Sequence, residues 1–238
     1  MEIDMADETP AYKPPQRRGL LSLATLLRAV RLERATIRTA TASDWPHIIQ
    51  ITNETMHDSS RSLNSFTLPD RMANESMERF RRLRWPMIVV DVDGEVIAYG
   101  SARGLRWGDD TTRQTAEVAI YLKREWYGTG AAALIALHLY SKVRMEGFEL
   151  ATCWIVEGNT SSIALAKGFG MTLWGTLPNA VRHGSTVSAL HIYGASLHDS
   201  RWLEKLADLK ARNESRIARL KSRLAQSPRS CACSASSD

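Results

Sequence analysis

Two glycines lie close together between a β-branched segment and an Ala/Leu-rich segment, in the sequence EVAIYLKREWYGTGAAAL from Glu117 to Leu134. The pattern predicts a strand, a tight turn that contains Gly128 and Gly130, and then a helix. Such a turn directs several backbone N–H groups and a helix N-terminus at one point. Because glycine lacks a Cβ, an anion can approach the main chain there. The segment therefore predicts a site for a phosphate-bearing cofactor.

A carboxylate and a phenol lie on one face of the strand that precedes this turn. Side chains alternate along a strand, so Glu117, Ala119 and Tyr121 share a face, while the opposite face is apolar. The apolar face suits a core, which directs Glu117 towards a cleft, where it could act as a general base. By pattern alone, an edge carboxylate in a surface ion pair is an equal alternative.

The hydrophobic pattern predicts the elements that must hold these residues. Their order is a strand at 37–41, helices at 44–57 and 70–83, a hairpin at 87–103, a strand at 116–122, a helix at 129–145, a strand at 150–156, a helix at 159–167 and two final strands. Ser43 is expected to cap the first helix, and the last two strands are expected to be joined through 178–184. This order indicates a mixed α/β or α+β sheet domain.

The sequence divides into four segments. Residues 1–35 are an N-terminal extension, with expected disorder near its three prolines and a possible amphipathic helix over 19–34. That helix is expected to pack on its own domain or a partner, with a membrane-surface helix as the alternative. Residues 36–198 carry the pattern of a folded domain. Residues 199–226 indicate an amphipathic helix, and 227–238 a flexible tail.

Composition excludes several classes of protein. No apolar run reaches the roughly 18 residues of a membrane span, and the acidic start MEIDMADE is unlike a secretory signal, so we expect a cytoplasmic protein without a membrane partner. The three cysteines indicate neither a disulfide framework nor a metal site, so no metal is expected. The net charge is +5, with nine Lys/Arg against four Asp/Glu in residues 199–229. Aromatic residues do not alternate with these basic residues, so nucleic acid is not an expected partner.

Mostly apolar residues recur at heptad spacing in the C-terminal segment, with Lys210 and Asn213 as polar insertions. One series is Leu203, Lys210, Ile217 and Leu224, and a second series, offset by three, is Leu206, Asn213 and Leu220. The spacing predicts a coiled coil and a homodimer through residues 203–224. A single amphipathic helix that lies on the folded domain fits the pattern equally well.

Four stretches of the chain, in order, resemble the GCN5-related N-acetyltransferase (GNAT) superfamily. They are DVDGEVIAYG, TAEVAIYL, EWYGTGA and NTSSIALAKGFGMTLWGTLPNAVRHG. TAEVAIYL is similar to the family's Glu-x-x-x-Tyr strand, and EWYGTGA to its acyl-CoA turn. The last stretch contains the Asn-x-x-Ser helix, a Gly-aromatic end and a Gly-Thr-Leu strand. Across residues 37–197 the chain most resembles the phosphinothricin-type acetyltransferases, which acetylate small amino-acid-like amines.

The resemblance implies a mostly antiparallel, twisted sheet flanked by helices. It implies direct acetyl transfer from acetyl-CoA to the primary amine of a small, amino-acid-like molecule, with Glu117 as general base and Tyr121 beside it. In the loop that follows the hairpin, Arg103, Arg106 and Arg113 could bind a substrate carboxylate. A solvated loop is the alternative for these arginines.

The residues implied to bind acetyl-CoA fall into three groups. They are Ile120, Tyr121 and Leu122 beside the pantetheine arm; Tyr127, Gly128, Thr129, Gly130 and Ala131 at the diphosphate; and Asn159 and Ser162 at the start of the next helix. The backbone of the first group would pair with pantetheine as an added strand does at a sheet edge. Asn159 is equally expected to be a helix N-cap.

Two positions depart from the family's pattern. Glu125 stands where the acyl-CoA motif has Gln or Arg, and its carboxylate repels a diphosphate unless it points away or Lys123 and Arg124 offset it. Ala166 stands seven residues after Asn159, where many members have a Tyr that protonates the departing thiolate. Other candidate donors are Tyr121, Tyr193 and His183.

Two other functions stay open at this point. The pattern Gly128-x-Gly130-x-x-Ala133, with Glu149 further on, resembles a dinucleotide-binding fingerprint, although it falls in mid-chain after a hairpin. A non-catalytic regulatory protein on the same scaffold would fit the departures at positions 125 and 166. In that case the basic C-terminal helix would bind a partner.

Overall fold

The computed structural model describes residues 22–56, 73–107 and 110–226. The disorder expected near the N-terminus and the flexible tail expected after residue 226 lie outside these residues. The strands are β1 (Ala35–Thr39), β2 (Met87–Val92), β3 (Glu95–Gly104), β4 (Thr115–Leu122), β5 (Leu150–Val156), β6 (Thr172–His183) and β7 (Thr186–Ser196). They form one sheet in the order β1-β2-β3-β4-β5-β7-β6. Neighbouring strands in the described residues are antiparallel, except that β4 and β5 are parallel. This confirms the predicted mixed, mostly antiparallel sheet.

Helices cover both faces of this sheet. In the described residues they are α1 (Leu23–Arg31), α2 (Trp45–Met56), α3 (Ala73–Arg82), α4 (Ala131–Met145), α5 (Thr160–Gly168) and α6 (Ser200–Gln226). The predicted order of strands and helices is confirmed across the sheet domain. The α/β class follows from this alternation, with the hairpin β2–β3 turning at Asp93-Gly94 as predicted.

The helix α4 packs closely on one face of the central strands. Its Ile135, Leu139 and Val143 are fully buried, in one apolar cluster with Ile97 of β3. A Cβ on Gly100 would lie 2.9 Å from Leu139 Cδ2, so the glycine lets the helix approach the sheet. This packing fixes the place where the N-terminus of α4 meets the ends of β4 and β5.

The helix α2 covers the opposite face. Its Ile48 and Ile51 are buried in a second apolar cluster with Val89 and Tyr99 of the sheet. The hydroxyls of Thr52 and Tyr99 lie 2.7 Å apart, so the buried phenol has a hydrogen-bond partner. Burial raises the pKa of Tyr99 well above its usual value, which keeps this phenol neutral.

The start of α2 differs from the prediction. Thr41, not Ser43, is the capping residue: it forms a capping box with Asp44 around the short 3-10 turn Ala42–Asp44. Arg38 donates two hydrogen bonds to the Asp44 carboxylate, at 2.7 and 2.8 Å. These bonds lower the pKa of the Asp44 carboxyl from 3.8 to about 2. The buried Asp44 therefore ties β1 to the start of α2.

The connection between the last two strands also differs. The predicted link through 178–184 is wrong, because β6 continues to His183 and turns at Gly184. Pro178 is tolerated in the strand because β6 lies at the sheet edge and its register with β7 shifts between Leu177 and Val181.

The terminal helices pack on the domain and on each other. In α1 and the turn after it, Ala29 and Leu32 are buried, which favours packing on its own domain. In α6, Trp202 is buried against Tyr140 of α4, and further apolar residues pack on the same core, namely Leu203, Leu206 and Leu209. The first part of the heptad pattern thus faces its own chain, as the alternative prediction had it. Across the described ranges, no helix is long and apolar enough to cross a bilayer.

Candidate active site

The strands β4 and β5 diverge at the centre of the sheet. Their described pairing covers Thr115–Glu117 of β4, and it ends at Glu117 opposite Thr152. Beyond that point β4 stays paired with β3 to Leu122, and β5 stays paired with β7 to Val156. The sheet therefore opens into a cleft of about 460 Å³. Each of the two strands keeps its pairing with the neighbour on its other side.

The inner edge of β4 lines this cleft. The lining includes Ile120, Tyr121 and Leu122, the residues predicted to run beside a pantetheine arm. In the described structure these three residues are not paired with β5. Their backbone on this edge can therefore pair with an extended ligand. On the other side the lining comes from β5, including Cys153 and Trp154.

The predicted glycine turn closes one end of the cleft. Gly128 and Gly130 have φ angles of +76° and +100°, a region that favours glycine, and both residues line the cleft together with Tyr127. Within the described residues neither glycine N–H has a hydrogen-bond acceptor. The first turn of α4 adds N–H groups without intrahelical acceptors. The main-chain donors at this end suit an anion.

Two of the predicted turn residues have buried side chains. Thr129 is 2% exposed, and its hydroxyl donates to the Trp126 carbonyl at 2.7 Å and accepts from the Ala131 N–H at 3.3 Å. Ala131 is fully buried. The helix predicted from about Thr129 begins two residues later: Gly130 is the N-cap and α4 starts at Ala131. The Thr129 hydroxyl holds the turn, and neither Thr129 nor Ala131 is among the described lining residues of the cleft.

The start of α5 lines the cleft from the β5 side. Asn159 Oδ1 accepts a hydrogen bond from the Ser162 N–H at 3.1 Å, so Asn159 is an N-cap, as one of its two interpretations predicts. Asn159 and Ser162 both belong to the lining. The N-termini of α4 and α5 thus meet beyond the carboxyl ends of two parallel strands, where α/β sheets commonly bind ligands.

Glu117 lies at the narrow end, where β4 and β5 separate. Its Oε1 accepts a hydrogen bond from Arg103 Nη2 on the neighbouring strand at 2.6 Å, and its side chain is 23% exposed. Tyr121, on the same face, lines the cleft and stacks on Tyr99, with ring centroids 5.0 Å apart. The structure thus gives Glu117 the ion pair of the alternative interpretation. Glu117 is not among the described lining residues of the cleft, which begin on β4 with its neighbour Val118.

The other predicted arginines lie elsewhere. Arg106 and Arg113 are exposed and do not belong to the described cleft lining. Of the candidate proton donors, Tyr121 lines the cleft, whereas Tyr193 and His183 are not among its described lining residues. Ala166 is buried in the cleft wall.

Sequence reasoning missed a polar group in the wall of the cleft. The Tyr140 hydroxyl donates to Met171 Sδ at 3.1 Å, and Cys153 Sγ lies 3.6 Å from the same sulfur. Burial raises the pKa of the Cys153 thiol to about 12 and that of Tyr140 well above its usual value, so both stay protonated. A Tyr in an apolar helix and a Cys in a strand carry no signal beyond packing.

The charges around the glycine turn come from unexpected places. Glu125 accepts a hydrogen bond from Arg28 of α1 at 3.1 Å. Lys123, a predicted partner, instead binds Glu95 at 2.8 Å. Arg216 of α6 donates to the Gly128 carbonyl at 2.8 Å. These contacts join residues far apart in the chain, so local spacing could not indicate them.

In the part of the chain that the structure describes, no three His, Cys, Asp or Glu residues are grouped to hold a metal ion. The sheet also differs from the doubly wound dinucleotide-binding fold, in which neighbouring strands are parallel. Here β4, the strand that leads into the glycine turn, has an antiparallel neighbour in β3. That arrangement removes the main structural support for the dinucleotide interpretation.

Comparison with known proteins identifies the family. A family model for the acetyltransferase (GNAT) domain matches residues 34–172. The L-methionine sulfoximine/L-methionine sulfone acetyltransferase of Pseudomonas aeruginosa is 28% identical over 151 residues, which cover 60% of this chain and 84% of that protein.

Solved structures share the fold. An N-acetyltransferase from Staphylococcus aureus superposes with a TM-score of 0.65 at 23% identity, over 68% of this chain and 98% of that one. A GNAT superfamily phosphinothricin acetyltransferase from Sinorhizobium meliloti, solved in complex with acetyl-CoA, gives a TM-score of 0.65 at 23% identity, over 68% and 88% of the two chains. The matched residues 34–172 include β4, the glycine turn, α4, β5 and α5, the elements that border the cleft. The chain belongs to the GNAT acetyltransferase family.

Proposed function

We propose that this protein transfers the acetyl group of acetyl-CoA to the primary amine of a small, amino-acid-like molecule. The observation that carries the proposal is the cleft between β4 and β5, which leads along an unpaired strand edge to the glycine turn. A ligand that occupies this space must be extended at one end and anionic at the other. Pantetheine followed by a diphosphate has this form.

The residues present fit acetyl-CoA. The edge of β4 at Ile120–Leu122 would pair with the pantetheine amides, and the N–H groups of Gly128 and Gly130 would bind the diphosphate. A Cβ at Gly128 or Gly130 would require a strained backbone, because both φ angles are positive. When bound, acetyl-CoA supplies an activated acyl group that an amine can attack.

Glu117 is the proposed general base. The acceptor amine must lose a proton to become nucleophilic, and a carboxylate at the point where the strands separate could take it directly or through a water. Arg103 holds Oε1 of Glu117 at 2.6 Å, which fixes the carboxylate in one orientation. Tyr121, which shares a face of β4 with Glu117 and lines the cleft, would position the amine.

The acceptor class rests on relatives. One relative acts on methionine sulfoximine and methionine sulfone, and a structural neighbour is a phosphinothricin acetyltransferase; both names denote amino-acid-like molecules. The face of the cleft that carries Tyr121 is covered by α2, whose Thr55 lines the cleft. We place the acceptor amine on this side. A cytoplasmic location and a homodimer through residues 203–224 stay predictions.

The test combines binding with turnover. Isothermal titration calorimetry with acetyl-CoA should give saturable binding, and a thiol-release assay with amino-acid-like amines, including methionine sulfoximine and phosphinothricin, should give turnover with at least one of them. The absence of acetyl-CoA binding would contradict the proposal.

A second candidate is a non-catalytic protein that binds acyl-CoA or a partner. Ala166 favours it, because the corresponding Tyr in many family members supplies the proton to the thiolate. This candidate would be supported over the enzyme by tight binding of acetyl-CoA together with no thiol release. The absence of thiol release would have to hold for every amine of the panel, methylated or free.

A further inference from the structure

We infer that Arg216 of α6 is a coenzyme A-binding residue, which supplies the positive charge at the diphosphate turn that position 125 does not supply. The inference rests on the proposed binding of acetyl-CoA in the cleft. Arg216 and Arg28 both lie outside residues 34–172, the segment that matches the family model. The positive charge of Arg216 therefore comes from a helix outside the matched segment.

The first observation is the position of Arg216. Its Nη2 donates to the Gly128 carbonyl at 2.8 Å, and its Nη1 lies 2.9 Å from the point that a Cβ on Gly130 would occupy. Asn213 Oδ1, one turn earlier on α6, lies 3.6 Å from the same point. The guanidinium thus lies directly on the two glycines whose N–H groups lack acceptors in the described chain.

The second observation is the state of Glu125. This carboxylate stands where the family motif has Gln or Arg, and it would repel a diphosphate. Arg28 of α1 binds it at 3.1 Å, so the pair adds little net charge to the turn. Arg216 adds a positive charge that contacts Gly128 directly.

The third step is electrostatic. The N-terminus of α4 carries a partial positive charge, and a guanidinium beside it is repelled unless an anion lies near both. Arg216 has five N–H donors, and the Gly128 carbonyl uses one nitrogen of the group. A diphosphate at the turn would give the remaining donors charged acceptors and would remove the repulsion. The arrangement therefore suits an anion that is shared by the turn and α6.

The bond to Gly128 also positions the turn. A backbone carbonyl that is held by α6 fixes the peptide plane between Gly128 and Thr129, whose N–H donates to the Trp126 carbonyl at 3.4 Å. Arg216 thus acts in two ways, through its charge and by holding the turn in place.

The experiment is calorimetric titration of the full chain with coenzyme A, at low and at high salt. The variants are R216A, R216K and the control R212A. Arg212 lies one turn earlier on the same helix, with its side chain 70% exposed and bound to Asp208, so its removal makes the same change of charge away from the turn. Thermal melting of each variant checks that it is folded.

We expect R216A to weaken coenzyme A binding by about tenfold or more at low salt, the size of one charge-assisted hydrogen bond. R216K should retain part of the affinity, R212A should bind as the unaltered protein does, and the loss in R216A should shrink at high salt. Unchanged binding in R216A, an equal loss in R212A, or a loss that neither salt nor lysine alters would overturn the inference. If the unaltered protein does not bind coenzyme A, the proposed function itself fails.

Discussion

The two ends of the cleft are built from different kinds of groups. At the wide end, which the glycine turn closes, the hydrogen-bond donors available to an anion are main-chain N–H groups of the turn and of the start of α4. Next to the narrow end, the proposed reactive groups are side chains: Glu117 bonded to Arg103, and Tyr121 stacked on Tyr99. A cradle of main-chain groups needs only the right backbone, whereas a side-chain site depends on the identity of each residue. Substitutions at the two ends should therefore have different effects.

The largest effect is expected at the narrow end. Glu117→Gln keeps the shape but removes the basic oxygen, so the rate of thiol release with a saturating amine should fall by about 10²- to 10⁴-fold. Affinity for acetyl-CoA, measured by calorimetry, should stay unchanged because the wide end is intact. A rate equal to that of the unaltered protein would remove Glu117 as the base.

At the wide end the expected change is in binding. Gly130→Ala places a Cβ at a φ of +100° and 2.9 Å from Arg216 Nη1, so the turn must move. Affinity for acetyl-CoA should fall by about tenfold or more, as expected when charge-assisted hydrogen bonds are lost.

Gly147→Ala is the matched control for this variant. Gly147 has a φ of +89°, and its added Cβ would meet nothing within 4 Å. Both substitutions should lower stability by about 1 kcal/mol, because both force a left-handed conformation on alanine. Equal losses of acetyl-CoA affinity in the two variants would contradict a cradle of main-chain donors.

A substitution remote from both ends separates stability from function. The folded pKa of Asp44, about 2, lies below its ordinary value of 3.8, so its stabilisation is full above pH 4 and is lost as the pH falls towards 2. Asp44→Asn should lower the free energy of unfolding by about 2 kcal/mol at neutral pH. Urea unfolding at several pH values would test this, with the difference between the two proteins shrinking in acid and acetyl-CoA affinity unchanged. A difference that stays constant down to pH 2 would contradict the ion pair.

The smallest effect is expected at Asn159. Asn159→Ala removes the cap of α5 and should lower stability by about 1 kcal/mol, while Asn159→Ser should restore most of it. If acetyl-CoA affinity falls in both variants, the Asn side chain also binds the ligand. Thermal unfolding and calorimetry together distinguish a cap from a ligand contact, and unchanged stability in Asn159→Ala would contradict the cap.

The same contrast explains what the sequence could predict. The strand, glycine turn and helix were recognisable because periodicity and glycine spacing report local backbone geometry. The hairpin at Asp93-Gly94 and the helix after Asn159 were recognised for the same reason. The family resemblance indicated the ligand class only because these local signals occur in the family's order.

Contacts between distant parts of the chain could not be predicted. Arg103 meets Glu117 through strand register, and Arg28 and Arg216 reach the turn from the two terminal helices. The sequence did not indicate the capping box at Thr41, because Thr41 and Ser43 could each serve as the cap. The tertiary bond of Arg38 to Asp44 decides between them. Heptad spacing fitted a coiled coil and a helix on the folded domain equally, and only the contacts of Leu203 and Leu206 with their own core distinguish the two.

The most direct test of the account is a crystal structure of the protein with coenzyme A. The account predicts pantetheine beside β4 at Ile120–Leu122 and diphosphate oxygens within hydrogen-bond distance of the N–H groups of Gly128 and Gly130. Coenzyme A bound at another place, or a diphosphate without contact to this turn, would contradict it.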